Sequence, residues 1–265
     1  MQDYLEVCEA AARAGGRVLG EWLGKFGVTH KGQRDLVTEA DFAAQQEIRR
    51  LVLDAFPEHG FIGEESMPDD AAGKSAMARP ELCWHVDPLD GTTNYVHGFP
   101  AYCVSVALAR GDELLVGTVY DPVQRECFTA RAGGGAFLNG HRITVAGARD
   151  PIDALVAVSF PPHVAVESRA VRDFLAILPH VHSVRRTGST AINLAYLACG
   201  RLDAFWLRRI ASWDVAAGLL LVAEAGGAIG PFAGSAPGQV KLDDPVFIAA
   251  CTPDLCDRLR ELMAD

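Results

Sequence analysis

The sequence predicts a layered α/β fold, and three features of the 265-residue chain lead to that prediction. Helical periodicities alternate with short apolar runs separated by turn signals, which is the pattern of helices packed on sheets. Hydrophobic residues make up 49% of the chain, enough for a large core. No internal repeat or linker-like stretch divides it. We therefore expect a single domain over residues 1–265, with a subdivision into about 1–150 and 151–265 as the alternative.

Two predicted helices open the chain. Apolar residues between positions 3 and 23 recur at the spacing of one buried helix face. Thr38 followed by Asp41 resembles a capping start for a second helix, and Pro57 ends that helix. The amino-terminal part should therefore form a helical layer.

Strands and hairpins follow the two helices. Apolar runs predict strands at 83–86, 103–109 and 114–120, and residues 110–113 form a hairpin turn between the last two. Asn139 and Gly140 signal a further tight turn. A mainly antiparallel sheet should therefore pack against the helical layer.

The second half of the chain alternates strands with helices. Ser189 starts one helix that Gly200 closes, and Ser212 is the predicted N-cap of the next. The remaining predicted elements are a strand at 155–159, a helix near 168–178, the helix from 213 to about 225, a strand at 246–250 and a helix from 253. We expect the loops at 73–80 and 234–238 to be the most mobile segments.

The charge balance narrows the classes of partner. Lys and Arg number 24 against 34 Asp and Glu, a formal net charge of −10. An acidic protein repels nucleic-acid phosphates and anionic lipids, so we expect neither as a partner, whereas small cations suit it. The longest apolar run, residues 215–223, is too short to span a membrane. Seven cysteines without a C-x-x-C pair predict reduced core residues and a cytoplasmic location.

Carboxylates recur beside glycine, proline or a helix start. Each has a plain alternative: Glu64 in a solvated loop, Asp87 in an ordinary turn, Asp214 in the first turn of a helix where the dipole favours it. Together they favour a site, because a carboxylate that opens a buried helix is costly without a cation or a donor. The four segments are 38–41, 63–66, 87–94 and 213–214.

The segment 87–94 is the most informative of the four. A buried strand delivers Asp87 at its end, Pro88 forces a turn, and Asp90 returns to face the same point. Mg²⁺ prefers a few carboxylates, water and substrate phosphate, and the backbone N–H groups after Asp90 can hold an anion. Glu64, Asp87, Asp90 and Asp214 therefore predict a magnesium site for phosphate-ester hydrolysis.

These segments closely resemble the inositol monophosphatase family of magnesium-dependent, lithium-sensitive phosphatases. The resemblance rests on GEES at 63–66, WHVDPLDGTTNY at 84–95 and WDVAAG at 213–218, and it covers nearly the whole chain. It implies an α/β/α/β/α sandwich, a homodimer, and two or three Mg²⁺ in each active site. The implied metal ligands are Glu64, Asp87, the Leu89 carbonyl, Asp90 and Asp214.

The resemblance also implies roles around the metals. Asp41 would hydrogen-bond Thr92, and Glu64 with Thr92 would orient the attacking water, so Glu64, Thr92 and Asp41 are the implied catalytic residues. The implied substrate-binding residues are Asp90, Gly91, Thr92, Gly188, Ser189, Thr190 and Asp214. The expected substrate is a small phosphate monoester, with inositol 1-phosphate first.

One position departs from the family pattern. Inositol-specific members usually carry a ring-binding glutamate where this chain has Leu207, followed by Arg208 and Arg209. The two arginines favour a solvated basic turn, and the alternative is a receptor for a second anionic group. The alternative functions are therefore a phosphatase for fructose 1,6-bisphosphate, histidinol phosphate or a nucleotide 3′-phosphate, and, less favoured, a protein-interaction role.

Overall fold

A computed structural model describes residues 3–32, 35–65, 80–161, 164–208, 210–232 and 240–263. The two loops expected to be mobile, 73–80 and 234–238, lie outside these residues except for Pro80. The described helices are α1 (Tyr4–Trp22), α2 (Glu39–Ala55), α3 (Thr92–Val96), α4 (Arg169–Ile177), α5 (Thr190–Ala198), α6 (Ser212–Glu224) and α7 (Pro253–Leu262).

The strands fall into three sheets. A hairpin of β1 (Val28–Gly32) and β2 (Asp35–Thr38) precedes α2. The large sheet contains, in spatial order, β3 (Gly60–Gly63), β4 (Leu82–Asp90), β5 (Cys103–Arg110), β6 (Glu113–Asp121), β7 (Glu126–Arg131), β8 (Gly135–Leu138) and β9 (His141–Ile143). The smaller sheet has the order β11 (Ser183–Arg185), β10 (Leu155–Val158), β12 (Ala204–Arg208), β14 (Val246–Ala250) and β13 (Ala228–Gly230).

Five layers result from the way the helices cover these sheets. Along β5, Val104, Val106 and Leu108 pack with α1 and α2, because alternate strand residues point to opposite faces. Cys103 and Ala107 face the other way, into the core shared with α5, α6 and the smaller sheet. Helix α7 covers β13 and β14 and contacts α4. The order helix, sheet, helix, sheet, helix confirms the predicted α/β/α/β/α sandwich.

Most of the predicted elements are present. The helices predicted at 3–23, 168–178 and 189–199 correspond to α1, α4 and α5, and Thr38 caps α2 through a capping box with Asp41. The turn at Asn139 and Gly140 joins β8 to β9, with positive φ at both residues as a type I′ hairpin requires. The sequence did not predict α3, the hairpin β1–β2 or the strands β3, β7, β8, β9, β11, β12 and β13.

Two local predictions were wrong. Strand β4 does not end at Val86: it continues to Asp90, with an irregular register between Asp87 and Asp90. Ser212 is the first helical residue of α6, and Ala211 is its N-cap. The Ser212 hydroxyl instead bonds His85 Nδ1 at 2.8 Å, so a tertiary partner competes with the local cap.

The cysteines behave as the composition suggests. None of the seven, all of which lie in described segments, forms a disulfide, and five are buried. Burial raises the pKa of Cys8 and of Cys127 to about 12, so these thiols stay protonated at neutral pH. They serve as apolar filling of the core.

Candidate active site

Three carboxylates meet between the two halves of the chain. Ligand atoms of Asp87, Asp90 and Asp214 all lie within 4.8 Å of one another. Asp87 and Asp90 come from the end of β4 and are buried, whereas Asp214 comes from the first turn of α6 and is half-buried. The structure therefore brings together three of the four carboxylates that the sequence assigned to one point.

Each of these carboxylates accepts a backbone N–H. The Leu89 N–H donates to Asp87 Oδ1 at 3.0 Å, and the Ala211 N–H donates to Asp214 Oδ2 at 3.2 Å. Asp90 Oδ2 accepts from the Ala191 N–H at 2.6 Å and from the Ser189 hydroxyl at 2.7 Å. The side chains are thus oriented by neutral donors, which leaves their negative charges uncompensated.

Asp41 and Thr92 form the contact that the resemblance implies. The Thr92 hydroxyl lies 3.3 Å from Asp41 Oδ1 and 3.1 Å from the Leu89 carbonyl, and it has one proton to donate between them. Asp41 Oδ2 accepts from the backbone N–H and the hydroxyl of Thr38. Burial raises the pKa of Asp41, and the Thr38 bonds oppose that shift. The N-terminus of α2 therefore fixes Thr92 beside the acidic cluster.

A cavity of about 300 Å³ lies over the carboxylates. Glu64, which directly follows β3, lines it together with Asp90 and Asp214, so the fourth acidic residue also faces this space. The remaining lining residues are Ser159, Phe160, Arg186, Gly188, Thr190, Ile210, Ala211 and Trp213. The cavity has the concave form and the few convergent polar groups of a small-molecule site.

The other predicted site residues surround this cavity. Gly91 has φ of 99°, a left-handed conformation that glycine adopts without strain, and it turns the chain from β4 into α3. Gly188 and Thr190 line the cavity, whereas Ser189 is buried beneath it as the N-cap of α5. The Leu89 carbonyl points to the Thr92 hydroxyl.

Several lining residues were missed by the sequence reasoning. Ser159, Phe160 and Ile210 lie on loops next to strands of the smaller sheet, and no motif marks them. Arg186 stands two residues before Gly188 of a segment already singled out, so that proximity was a usable signal. The Arg186 guanidinium lies over the Phe160 ring, 5.9 Å from its centroid.

Burial and mutual repulsion dominate the electrostatics of the cluster. Burial raises the pKa of Asp87 well above its ordinary value, and the charges of Glu64, Asp90 and Asp214 raise it further. Burial also raises the pKa of Asp214 strongly, with Asp90 and Glu64 adding to the effect. Burial raises the pKa of Asp90 as well, although its hydrogen bonds from Ser189 and Ala191 pull the other way. Such a cluster is stable in its ionised form only with a cation.

The chemistry of the converging side-chain atoms indicates which cation the cluster can bind. All the converging side-chain atoms are carboxylate oxygens, and the described part of the chain places no histidine or cysteine in the cluster. Hard divalent cations such as Mg²⁺ bind oxygen ligands of this kind. The residues present therefore fit the metal implied by the sequence.

The arginines after Leu207 are the main correction. Arg208 ends β12 and pairs with the buried carboxylate of Asp173 through both Nε and Nη2, while its guanidinium lies 3.7 Å from the centroid of the Phe232 ring. It is therefore not in a solvated basic turn, and it does not line the cavity over the carboxylates. Leu207 is packed in the hydrophobic core, and Arg209 lies outside the described residues.

Comparison with known proteins decides the family. A family model described as the inositol monophosphatase family matches residues 1–263. The chain belongs to the inositol monophosphatase family. It is therefore a phosphoric monoester hydrolase by class. Members of this family depend on metal ions, and the cluster of acidic residues agrees with that dependence.

The similarity of this inositol monophosphatase family member to known proteins covers most of the chain. The tomato (Solanum lycopersicum) protein named inositol monophosphatase 2 is 42% identical over 86% of this chain and 87% of its own. The Pseudomonas aeruginosa protein named Nus factor SuhB is 39% identical over 89% and 88%. The crystal structure of the extragenic suppressor protein suhB from Bartonella henselae superimposes with a TM-score of 0.87 at 34% identity, covering 97% of each chain.

Among the described segments, no helix combines the length and the apolar character that a membrane span requires.

Proposed function

We propose that this protein hydrolyses a small phosphate monoester with the help of Mg²⁺, and that inositol 1-phosphate is its substrate. The observation that carries the proposal is the convergence of Asp87, Asp90 and Asp214 within 4.8 Å beside a cavity of about 300 Å³. A cavity of this size accommodates a sugar-sized phosphate ester. Membership of the inositol monophosphatase family supports the choice of ester.

The proposed metal ligands are Glu64, Asp87, the Leu89 carbonyl, Asp90 and Asp214, which would hold two or three Mg²⁺. Bound Mg²⁺ would make water a stronger nucleophile and neutralise charge that develops on the phosphate and the leaving oxygen. Because the water is the nucleophile, no side chain has to form a covalent bond with phosphorus. The buried cysteines accordingly have no part in the reaction.

The chain's own groups orient the reactants. The backbone N–H groups of Gly91 and Thr92 would bind phosphate oxygens, and Thr92 with Glu64 would hold the attacking water in line with the leaving oxygen. The contact from Thr92 to Asp41 supports this role, because Asp41 accepts the Thr92 proton and leaves the hydroxyl oxygen free to accept one from water. Asp41, Glu64 and Thr92 are thus the proposed catalytic residues.

The far side of the cavity would contact the rest of the substrate. Gly188 and Thr190 line the cavity there, and Ser189 would act from below by orienting Asp90. The Ser159 hydroxyl lies 3.2 Å from the Thr190 hydroxyl, so the two present a pair of groups that can both donate and accept. Such a pair suits the hydroxyls of a polyol ring.

A second candidate substrate class follows from Arg186. Its side chain lines the same cavity, and among the described residues no carboxylate lies within ion-pair distance of it. A guanidinium in this position would favour a substrate with a second anionic group, such as fructose 1,6-bisphosphate. Arg208 is the weaker candidate for this charge, because it pairs with Asp173 and does not line the cavity.

A phosphate-release assay over both classes tests the proposal. We expect inositol 1-phosphate to be hydrolysed faster than histidinol phosphate, a nucleotide 3′-phosphate or an arbitrary ester in Mg²⁺, with activity lost in EDTA and reduced by lithium. If inositol 1-phosphate turns over no faster than the arbitrary ester, the leading substrate is wrong. Preference for fructose 1,6-bisphosphate that disappears in Arg186→Gln would establish the second class instead.

Assembly is a separate proposal. We propose a homodimer, as the family resemblance implies, and light scattering of the purified protein would measure its mass. A role in protein interaction would be separable from catalysis: a variant such as Asp87→Asn should lose turnover while it keeps any binding partner that a pull-down recovers with the wild type.

A further inference from the structure

Gln45 makes an unusual pair of contacts behind the site. It lies on α2, is fully buried, and forms hydrogen bonds with both the carbonyl and the N–H of one other residue, Glu65. Its Nε2 donates to the Glu65 carbonyl at 2.5 Å, and its Oε1 accepts from the Glu65 N–H at 2.9 Å. A side-chain amide thus takes the place of a neighbouring strand for Glu65.

Gly63 leaves room for the Gln45 side chain to make these hydrogen bonds. A Cβ added at Gly63 would lie 2.2 Å from Gln45 Oε1, far closer than any real contact, so a larger residue there would displace the amide. On the other side, the Glu64 N–H donates to the Val86 carbonyl of β4 at 3.1 Å. The backbone of Glu64 is therefore held by β4 before it and by Gln45 after it.

Helix α2 also carries Asp41, exactly four positions before Gln45 and hence on the same face one turn away. Asp41 binds the Thr92 hydroxyl, and Gln45 binds the residue that follows Glu64. One face of one helix therefore holds both segments that carry the proposed water-orienting residues. Both anchoring side chains, Asp41 and Gln45, are fully buried.

We propose that Gln45 is a positioning residue: its amide fixes Glu64 relative to Thr92, so that the two residues keep the separation that catalysis needs. The inference rests on the proposed function, because it takes Glu64 and Thr92 as the groups that orient water and metal. Displacement of a reacting group by about 1 Å can cost on the order of 100-fold in rate. The effect should therefore fall on kcat rather than on substrate affinity.

The test compares two adjacent glutamines of α2. Gln45→Leu keeps the approximate volume and removes both bonds, whereas Gln46→Leu makes the same chemical change at an exposed position. We expect Gln45→Leu to lower kcat for the best ester by about 10- to 100-fold with a KM close to wild type. Gln46→Leu should match the wild type in both constants.

Two further measurements separate positioning from a purely structural role. Gln45→Leu should weaken Mg²⁺ binding by about tenfold in calorimetry, the size of effect typical of groups that orient metal ligands, and should speed hydrogen exchange in a peptide covering residues 60–65. Gln45→Glu, which keeps an acceptor for the Glu65 N–H, should give a kcat between those of the wild type and Gln45→Leu.

The proposal is overturned if folded Gln45→Leu has the wild-type kcat, Mg²⁺ affinity and exchange rate, or if it lowers only the melting temperature. Failure of the proposed function is distinguishable, because the wild type itself would then release no phosphate from any ester in the panel. In that case the Mg²⁺ affinity and the exchange rate still decide whether Gln45 positions the Glu64 segment.

Discussion

At the residue scale, the site shows how a protein can hold like charges together. Asp87, Asp90 and Asp214 each accept a hydrogen bond from a nearby backbone N–H, which fixes the direction of the side chain. None of these donors carries a full charge, so the repulsion remains until a cation arrives. Geometry is thus supplied by the fold and charge balance by the metal.

Asp214→Asn tests this division directly. The change removes one ligand charge and retains the size of the side chain, so we expect phosphatase kcat to fall by about 100-fold or more and Mg²⁺ affinity to weaken. In EDTA the same variant should unfold at a higher temperature than the wild type, because one repelling charge is gone. Phosphatase assays in Mg²⁺ check the predicted fall in kcat, and melting curves in EDTA check the predicted rise in unfolding temperature. A variant as active as the wild type would contradict the role of Asp214 as a metal ligand. Activity that EDTA leaves unchanged would contradict the metal mechanism.

The raised pKa values predict the pH dependence of the metal-free protein. The pKa of Asp87 and that of Asp214 lie above the ordinary value near 4, so the folded state takes up protons that the unfolded state has lost. Their contribution to the free energy of unfolding is fully present below about pH 4 and is lost as pH rises through the raised values.

Denaturant unfolding from pH 5 to pH 8 measures this effect. In EDTA, the wild type should lose stability relative to Asp87→Asn as pH rises, and saturating Mg²⁺ should cancel the loss in the wild type. Comparison with the variant is needed because other carboxyls act in the opposite direction: the hydrogen bond from Arg131 lowers the pKa of Asp3, for example. Parallel pH curves for the two proteins in EDTA would disprove the assignment.

At the scale of elements, the sequence predicted helices more successfully than short strands. Caps and periodicity located α1, α2, α4 and α5, because those signals lie within the element itself. Strand β12 is four apolar residues followed by Arg208, and its pairing partners β10 and β14 lie far away in the chain. The Ser212 contact with His85 is likewise long-range, so the local capping rule assigned the wrong residue.

A long-range contact also explains why the sequence-based interpretation of Arg208, at the end of β12, was wrong. Two consecutive arginines look solvated in sequence, but Arg208 pairs with Asp173 of α4, which is almost fully buried. The convergence of Asp87 and Asp90 was predicted correctly because their motif is continuous and specific, although strand β4 runs on through both residues. The cavity wall was not, because Ser159, Phe160 and Arg186 reach it from separate loops.

Arg208→Met should therefore affect stability and spare the chemistry. Removing one partner of a buried ion pair leaves Asp173 with Arg169 alone, so we expect the free energy of unfolding to fall by about 2 to 4 kcal/mol. Arg172→Met, at an exposed position of the same helix α4, is the matched control and should change stability little. Denaturant unfolding measures both variants.

Selectivity between bisphosphate and monophosphate esters should stay the same in Arg208→Met. A selective loss of bisphosphate turnover, with stability unchanged, would instead restore Arg208 as a substrate-binding residue.

At the scale of the whole molecule, cation binding should be visible as added stability. The proposed ligands come from β4, the residue after β3 and the start of α6, so a metal bound there would link the large sheet to the helical layer beside it. A ligand that binds only the folded state raises stability by about 2.7 kcal/mol at 100 times its dissociation constant. We expect the melting temperature to rise steadily with Mg²⁺ concentration in the wild type and hardly at all in Asp87→Asn.

The order of the ligands along the chain has a consequence for synthesis. Asp87 and Asp90 lie on β4, and Asp214 belongs to a helix that the ribosome makes some 120 residues later. That helix is followed by β14, which pairs with β12 and β13 in the smaller sheet. A nascent chain therefore carries an incomplete set of the proposed ligands until α6 has been made. The proposed metal site cannot form while the chain is still shorter than the segment that ends with α6.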